Sequence, residues 1–104
     1  MIKQILLIAA TVASSTICLA QDANLRLQTR ALAATCANCH GTEGRSADGS
    51  ALPSLAGVPK AYTLTQLKAF KDGSRPATIM HQLTKGFTDE QLERIAGYFA
   101  DASR

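Results

Sequence analysis

The chain is poor in the features that mark several large protein classes. Its 104 residues include no tryptophan, five aromatic residues and three cysteines, and the formal net charge is only +3. So small a charge, without a run of like charges, excludes the basic surface of a nucleic-acid-binding protein. No segment of useful length alternates between apolar and polar residues as a half-buried strand does. The length excludes separate cofactor and substrate domains, so one small domain is expected.

Large apolar side chains are also scarce once the N-terminus is set aside. Hydrophobic residues make up 46% of the chain, but 14 of them lie in the first 20 residues. Beyond residue 20 only 15 of 84 residues are Leu, Ile, Val or Phe, about 18%, which is below the usual range for a self-sufficient core. A chain this short buries only about 60–65% of its unfolded surface. We therefore expect a group other than the side chains to complete the core.

The N-terminus has the three parts of a secretory signal peptide. Lys3 supplies the positive charge, residues 5–13 form the apolar region, and Cys18 and Ala20 are the small residues that a signal peptidase reads. We predict a signal peptide at residues 1–20, cleaved after export, and hence a periplasmic protein.

Two other interpretations of this segment are weaker. A transmembrane anchor needs about 20 continuous apolar residues, whereas the strongly apolar run, residues 5–13, has nine. A lipoprotein attached through Cys18 would need a small residue where Ile17 stands. The mature chain, residues 21–104, is expected to form one domain without a membrane span. It has two cysteines, and ten Lys and Arg against eight Asp and Glu give it a charge of +2.

Three segments of the mature chain have the apolar period of an α-helix. They cover residues 24–36, 61–71 and 89–102. Thr88, with Gln91 three residues later, forms a capping-box pattern at the start of the last segment. The side chains expected to face the core are Leu25, Thr29, Leu32, Ala33 and Cys36 in the first segment, Leu64, Leu67 and Phe70 in the second, and Leu92, Ile95, Ala96 and Phe99 in the third.

Between the first two helices the helical period disappears. Residues 41–59 contain four of the seven glycines and two of the three prolines, so this stretch is predicted to be irregular. Long irregular stretches in small domains tend to carry function. With three predicted helices and no predicted strand, the expected fold class is all-α.

The strongest chemical signal is the C-x-x-C-H motif formed by Cys36, Cys39 and His40. Two thiols three residues apart project from one turn, where both can add to vinyl groups on one edge of a porphyrin. The adjacent histidine is then placed to ligate the iron. Because this spacing is the attachment pattern of c-type haem, we predict one haem c, bound by Cys36 and Cys39 through two thioethers, with His40 as an axial ligand.

Three other interpretations of the motif are weaker. A redox-active cysteine pair expects a βαβ setting, which the sequence lacks. A zinc site would use Cys36, Cys39, His40 and His81, but structural zinc sites separate their histidines from the cysteine pair. A structural disulfide between the two cysteines would leave His40 without a role.

The sixth ligand of such an iron is predicted to be Met80. It is the only methionine of the mature chain, and it lies between the second and third predicted helices, where a loop can fold over the opposite haem face. A thioether ligand raises the reduction potential and suits electron transfer. His81 is the competing ligand. With both axial positions filled by protein, no site for a substrate remains, which favours a carrier over a catalyst; an open iron would instead indicate a haem enzyme or a gas sensor.

Together these residues resemble the small class I c-type cytochromes of bacterial periplasms, over essentially all of residues 24–102. The matching pieces are residues 36–41, Gly44, Ser46, residues 52–57, Tyr62, residues 66–67, residues 70–71 and Gly73. Within the family, residues 77–80, 85–87 and 96–99 are similar to the cytochrome subunits of flavocytochrome c sulfide dehydrogenases. Those subunits often carry two haems, whereas this chain has one C-x-x-C-H motif and half the length.

The resemblance implies the class I cytochrome c fold, with three main helices and short turns wrapped around one covalently attached haem. It implies that the carbonyl of Pro53 accepts a hydrogen bond from the His40 ring, and that Gly97 is a small contact where the first and last helices cross. Candidates for contacts with the haem propionates are Tyr62, Gln66 and Arg75. Candidates for the rim of an exposed haem edge are Lys60, Lys68, Lys71 and Lys85, for which a solvated surface is the alternative.

The function that the resemblance implies is transfer of single electrons in the periplasm. The expected partner is a redox protein, specifically a sulfide-oxidising flavoprotein whose haem subunit this chain would be. The chain itself is then an electron-transfer protein or a non-catalytic haem subunit of an oxidoreductase complex. The alternative is a free soluble shuttle between respiratory complexes.

Overall fold

Four α-helices make up the regular structure. The computed structural model describes the backbone of residues 2–103 and the side chains of residues 19–103. The helices are α1 (Ile2–His40), α2 (Lys60–Asp72), α3 (Met80–Lys85) and α4 (Asp89–Asp101), with a short 3-10 turn at Thr42–Gly44. Because residues 2–103 contain no strand, the all-α prediction is confirmed.

Most of the predicted signal peptide, residues 1–18, lies outside the residues whose side chains are described. Its cleavage therefore stays a prediction. None of the described helices has the combined length and hydropathy that a membrane span requires.

The predicted helix boundaries agree with α2 and α4 to within one residue. The stretch from residue 41 to residue 59 is irregular as expected, apart from the 3-10 turn. The segment around Met80 differs, because the predicted loop contains the six-residue helix α3. A helix of fewer than two turns shows too little apolar period to be recognised in a sequence.

The core lies where α1, α2 and α4 meet. Its buried members are Ala33 of α1, Leu67 of α2, and Leu92, Ile95, Ala96 and Phe99 of α4. All four apolar residues predicted for α4 are buried. Only three large side chains in the described part of the chain are fully buried: Phe99, Leu92 and Ile95. This small core agrees with the scarcity of large apolar residues beyond residue 20.

The prediction that Leu25 faces the core is wrong, since 50% of it is exposed. The residues of α1 from 19 to 28 are all exposed, and an open groove separates this part of the helix from α4. The two helices are joined here by Arg94, which donates hydrogen bonds to the Thr29 hydroxyl (Nη2 to Oγ1, 2.8 Å) and the Leu25 carbonyl (Nη2 to O, 3.2 Å).

The same groove explains why the role expected for Gly97 is also wrong. A Cβ at Gly97 would lie 3.7 Å from Cδ of Lys60, an ordinary van der Waals contact, and no atom of α1 from residue 19 onward lies within 4 Å of it. Close packing against α1 therefore does not require glycine at this position.

Helices α2 and α4 are joined by two ion pairs. The Nζ atom of Lys60 lies 2.8 Å from Oε1 of Glu93, and that of Lys71 lies 2.7 Å from Oδ1 of Asp89. The second pair lies at the start of α4, where Thr88 and Gln91 form the predicted capping box. These contacts fix α4 relative to the helix before it.

Candidate functional site

His40 is the last residue of α1 and is 92% buried, with 8% of its surface exposed. Its Nδ1 atom lies 2.7 Å from the carbonyl oxygen of Pro53. Since a carbonyl can only accept a hydrogen bond, Nδ1 carries the proton and Nε2 keeps its lone pair. The hydrogen bond implied by the resemblance is thus present, and it leaves one nitrogen of the ring available to a metal.

The turn after His40 depends on a glycine. Gly41 has φ +86°, and a Cβ there would lie 1.9 Å from the carbonyl oxygen of Arg45. The chain reverses at this point, with the Gly44 N–H donating to the Gly41 carbonyl at 2.8 Å. The Ser46 hydroxyl donates to the His40 carbonyl at 3.1 Å, so the residue that ends α1 is held from both its ring and its backbone.

The two cysteines of the motif differ in their surroundings. Cys36 is partly buried and packs against the hydrophobic core, whereas Cys39 is exposed, and no disulfide joins the two. Burial raises the pKa of the Cys36 thiol; a hydrogen bond with its backbone opposes this effect and the nearby Cys39 adds to it. A raised pKa keeps a thiol protonated at neutral pH, which is the reverse of what a redox-active cysteine pair needs.

The zinc alternative also finds no support. In the part of the chain whose side chains are described, no group of three or more His, Cys, Asp or Glu side chains could hold a metal ion. The four residues that a zinc site would use, Cys36, Cys39, His40 and His81, are therefore not assembled around a common point.

Met80 is the first residue of α3, and it packs against the same hydrophobic core as Cys36. Met80 and Cys36, which are far apart in the sequence, thus contact the same hydrophobic core. The hydroxyl of Thr84 donates to the Met80 carbonyl at 2.8 Å. The Nδ1 atom of the neighbouring His81 is buried and has no hydrogen-bond partner among the described residues.

Exposed apolar side chains lie near Pro53 and Met80 in the sequence, as a large apolar cofactor requires. Leu52 precedes Pro53 in the chain, Ile79 precedes Met80, and Leu83 follows Met80 by three residues. Between 37% and 59% of each of these three side chains is exposed to solvent. An imidazole, a thioether and two thiols beside apolar side chains are the donor set of a c-type haem with His and Met ligands. The residues therefore fit this cofactor.

The other residues that the resemblance singled out have varied surroundings. Tyr62 is 59% exposed. Arg75 donates a hydrogen bond to the side-chain oxygen of Gln66, and its guanidinium carbon lies 4.5 Å from the centre of the Phe70 ring. Of the four lysines, Lys60 and Lys71 are engaged in the ion pairs with α4.

Sequence reasoning missed several contacts around the site. The hydroxyl of Ser54 donates to the Gly44 carbonyl at 2.8 Å, beside the loop residue that holds His40. Lys71 donates to the Phe87 carbonyl at 2.8 Å. A serine in a loop and a lysine on a helix are common, so neither carries a signal in the sequence alone.

Comparison with known proteins gives a consistent result. The family model described as cytochrome c matches residues 28–103. The cytochrome subunit of sulfide dehydrogenase from Chlorobaculum tepidum is 44% identical over 73 residues, covering 70% of this chain and 64% of that protein. Cytochrome c4 from Pseudomonas aeruginosa is 41% identical over 71 residues, covering 68% of this chain and 35% of that protein.

Two further similarities extend the range of relatives. The thiosulfate dehydrogenase electron acceptor of Thiomonas intermedia is 35% identical over 68 residues, which cover 65% of this chain and 31% of that protein. The solved structure of cytochrome c4 from Acidithiobacillus ferrooxidans aligns with a TM-score of 0.58 at 37% identity, covering 62% of this chain and 37% of that one. The chain spans less than two thirds of the length of each of these relatives.

Proposed function

We propose the residues that hold the haem of this chain, which belongs to the cytochrome c family and has its class I fold and covalently attached haem c. Cys36 and Cys39 form the two thioether bonds. His40 and Met80 are the axial ligands of the iron, and the Pro53 carbonyl orients the His40 ring.

We propose that the protein is an electron carrier, which its membership of the cytochrome c family supports. Haem supplies one-electron chemistry at its iron. The chain's own residues hold and shield the cofactor. The observation that carries the ligand assignment is the hydrogen bond of 2.7 Å between His40 Nδ1 and the Pro53 carbonyl. It fixes the tautomer in which Nε2 is the ligand and increases the basicity of that nitrogen.

Ligation of the iron by Met80 would distinguish an electron carrier from a haem enzyme or a gas sensor. A thioether on the iron closes the site to small ligands and raises the reduction potential. Met80 is partly buried against the core that Cys36 also contacts, whereas the adjacent His81 has a buried Nδ1 atom that the described residues leave without a partner. The contact of Met80 with the core supports it as the ligand, and the unpartnered His81 nitrogen makes that residue the competitor to be tested.

Substitution of these two neighbours tests the assignment. Met80→Ala should abolish the far-red ferric absorption band of methionine–iron ligation, lower the reduction potential and allow rapid carbon monoxide binding to the ferrous protein. His81→Ala is the matched control and should retain the band. Rapid, complete carbon monoxide binding by the unsubstituted protein at neutral pH, or loss of the band in His81→Ala alone, would remove Met80 from the iron.

Export and processing are part of the same proposal. A signal peptide at residues 1–20 would deliver residues 21–104 to the periplasm as one haem-binding domain. Mass spectrometry of the protein purified from its native host tests this directly: the expected mass is that of a chain beginning at Gln21 plus one haem. A mass that includes residues 1–20 would contradict cleavage.

The electron donor that we propose is a sulfide-oxidising flavoprotein, of which this chain is the haem subunit. Support comes from the relative in Chlorobaculum tepidum that is named as the cytochrome subunit of sulfide dehydrogenase. Relatives named cytochrome c4 and thiosulfate dehydrogenase electron acceptor favour a second candidate, a free shuttle. Purification from the native host at moderate salt, followed by size-exclusion chromatography, separates the two. Co-elution of flavin and haem absorbance supports the subunit, and a haem peak without flavin supports the shuttle.

A further inference from the structure

Lys71 joins α2 to the connection between α3 and α4. Its Nζ atom lies 2.8 Å from the carbonyl oxygen of Phe87 and 2.7 Å from Oδ1 of Asp89. The Lys71 side chain is only 30% exposed, so the ammonium group is held in place between these two acceptors. Of the four lysines that the resemblance places at the rim of an exposed haem edge, Lys71 is the one that donates to the Phe87 carbonyl, just beyond the end of α3.

A chain of hydrogen bonds runs from this point to Met80. The Phe87 N–H donates to the Thr84 carbonyl at 3.2 Å, and the Thr84 hydroxyl donates to the Met80 carbonyl at 2.8 Å. Thr84 is 2% exposed, and Phe87 packs against the hydrophobic core. The segment from Met80 to Phe87 is thus one hydrogen-bonded unit, and Lys71 holds its C-terminal end.

Helix α3 needs such an attachment. It has six residues, and no side chain caps its N-terminus at Ile79. Helices of this length are unstable by themselves, because nucleation of the first turn is unfavourable and few further hydrogen bonds follow it. The position of Met80 is therefore set by what holds α3 to the rest of the protein.

We propose that Lys71 is a positioning residue for Met80: through the Phe87 carbonyl it holds α3 in the place from which the thioether reaches the iron. This inference rests on the proposed role of Met80 as a ligand. Within residues 19–103 the Lys71 ammonium donates to Phe87 and Asp89 and makes no hydrogen bond to His40 or Met80. Its effect is on the equilibrium between the bound and released states of Met80.

The test uses exogenous cyanide, which binds ferric iron only after the methionine has left it. Lys71→Met keeps the length and apolar stem of the side chain but removes the ammonium group. The haem-loaded variant should bind cyanide about tenfold more tightly than the unsubstituted protein, the effect expected from losing a hydrogen bond to a charged donor. Its far-red band should weaken and its reduction potential should fall, whereas Lys71→Arg should restore all three properties.

Two control variants separate this role from general loosening of the helices. Lys60→Met removes the other ion pair between α2 and α4, with Glu93, but leaves the Phe87 carbonyl bonded. Lys68→Met removes a neighbouring exposed charge that acts on Asp89 and Glu93 through its electrostatic field and not through the Phe87 carbonyl. Both controls should leave cyanide affinity within about twofold of the unsubstituted protein, a free-energy difference of less than about 0.5 kcal/mol.

The outcomes test the role of Lys71 separately from the assignment of Met80 as a ligand. If Met80→Ala leaves the far-red band unchanged, the ligand assignment fails. If Met80→Ala abolishes the band but Lys71→Met behaves like Lys60→Met, only the role of Lys71 fails. Should Lys71→Met not retain haem, Thr84→Val interrupts the same chain of hydrogen bonds. Thr84→Val must then raise the affinity for cyanide, whereas Thr84→Ser must leave it unchanged. Equal cyanide affinities of the Thr84→Val variant and the unsubstituted protein overturn the proposal.

Discussion

At the scale of single residues, Gly44 fixes the loop that carries Pro53. It has φ +77°, and a Cβ there would lie 2.6 Å from Cδ1 of Phe99. Its carbonyl accepts hydrogen bonds from the backbone N–H groups of Leu55 and Ala56 at 2.7 and 3.1 Å. The loop therefore approaches the core so closely that no side chain fits between them.

Replacing Gly44 by Ala should lower the free energy of unfolding by about 2–4 kcal/mol, because the methyl group meets a fully buried ring and the backbone is held at positive φ. Gly49→Ala is the matched control. Gly49 has φ +78° but no atom within 4 Å of its Cβ position, so only the backbone cost of about 1 kcal/mol applies. Guanidinium chloride unfolding of the haem-loaded proteins measures both. Equal losses in the two variants would show that the contact with Phe99 is unimportant.

The same scale shows what the sequence alone can reveal of the site. The sequence alone identifies Cys36, Cys39 and His40 as candidates, because the chemistry of a C-x-x-C-H motif depends on spacing within one turn. Met80 is a candidate because the mature chain has no other methionine. The roles of Gly44 and Lys71 depend on contacts with residues distant in sequence, and no local pattern specifies such contacts.

At the scale of elements, α4 is the helix that its sequence specifies most completely. Thr88 accepts a hydrogen bond from the Gln91 N–H at 3.2 Å, and the Gln91 side chain accepts one from the Thr88 N–H at 2.9 Å. Asp89 and Glu90 occupy the first turn, where negative charge stabilises a helix. Cap, charge and apolar period all agree in this helix, which explains why its boundaries and its buried face were predictable.

Thr88→Ala should lower the free energy of unfolding by about 1 kcal/mol, because removal of the capping hydroxyl leaves a backbone N–H of α4 without its partner. Thr65→Ala serves as the control. Its hydroxyl bonds to the Ala61 carbonyl within α2 at 2.9 Å on an exposed face, and alanine is the better helix former. Thermal unfolding should therefore show a lower midpoint for Thr88→Ala only. A loss in Thr65→Ala as large as that in Thr88→Ala would contradict the capping role.

Helix α3 shows where prediction of elements ends. Six residues provide less than two turns of apolar period, so its sequence resembles a loop. Lys71 of α2 donates to the Phe87 carbonyl just beyond the end of α3, so a tertiary contact supports a segment that helix propensity alone would not. A short helix that is stabilised by contacts with distant residues cannot be predicted from its own sequence.

At the scale of the whole molecule, α2 and α4 are joined by exposed ion pairs as well as by apolar contacts. The Lys71 ammonium, through its hydrogen bond and its charge, lowers the pKa of Asp89, and Lys60 lowers that of Glu93 in the same way. A carboxylate with a lowered pKa stabilises the folded state above its unfolded pKa, near 4, and this contribution is lost as pH falls through the folded value.

We therefore expect the thermal midpoint of the haem-loaded protein to fall as pH decreases below about 5, partly through protonation of Asp89 and Glu93. The Asp89→Asn/Glu93→Gln double variant should be less stable at pH 7 and should lose less stability on acidification. Comparing midpoints across the pH series for both proteins checks this. Parallel curves would show that other groups account for the whole acid response.

The size of the apolar core is also a property of the whole molecule. The sequence predicted a shortage of large core residues beyond residue 20, and only three such side chains are fully buried in the described part of the chain. Composition reveals this shortage because it is a sum over residues. The open groove beside Gly97 and Leu25 could not be predicted, because it depends on how far α1 and α4 diverge.

The close contact between Gly44 and Phe99 also sets an order of events during biosynthesis. The C-x-x-C-H motif is complete at residue 40, but Phe99 is added only after more than half of the chain has followed. Until then nothing closes the loop of residues 41–57 against the last helix. The loop of Gly44, and with it the Pro53 carbonyl that bonds to His40 Nδ1, therefore reaches its final position only once α4 is in place.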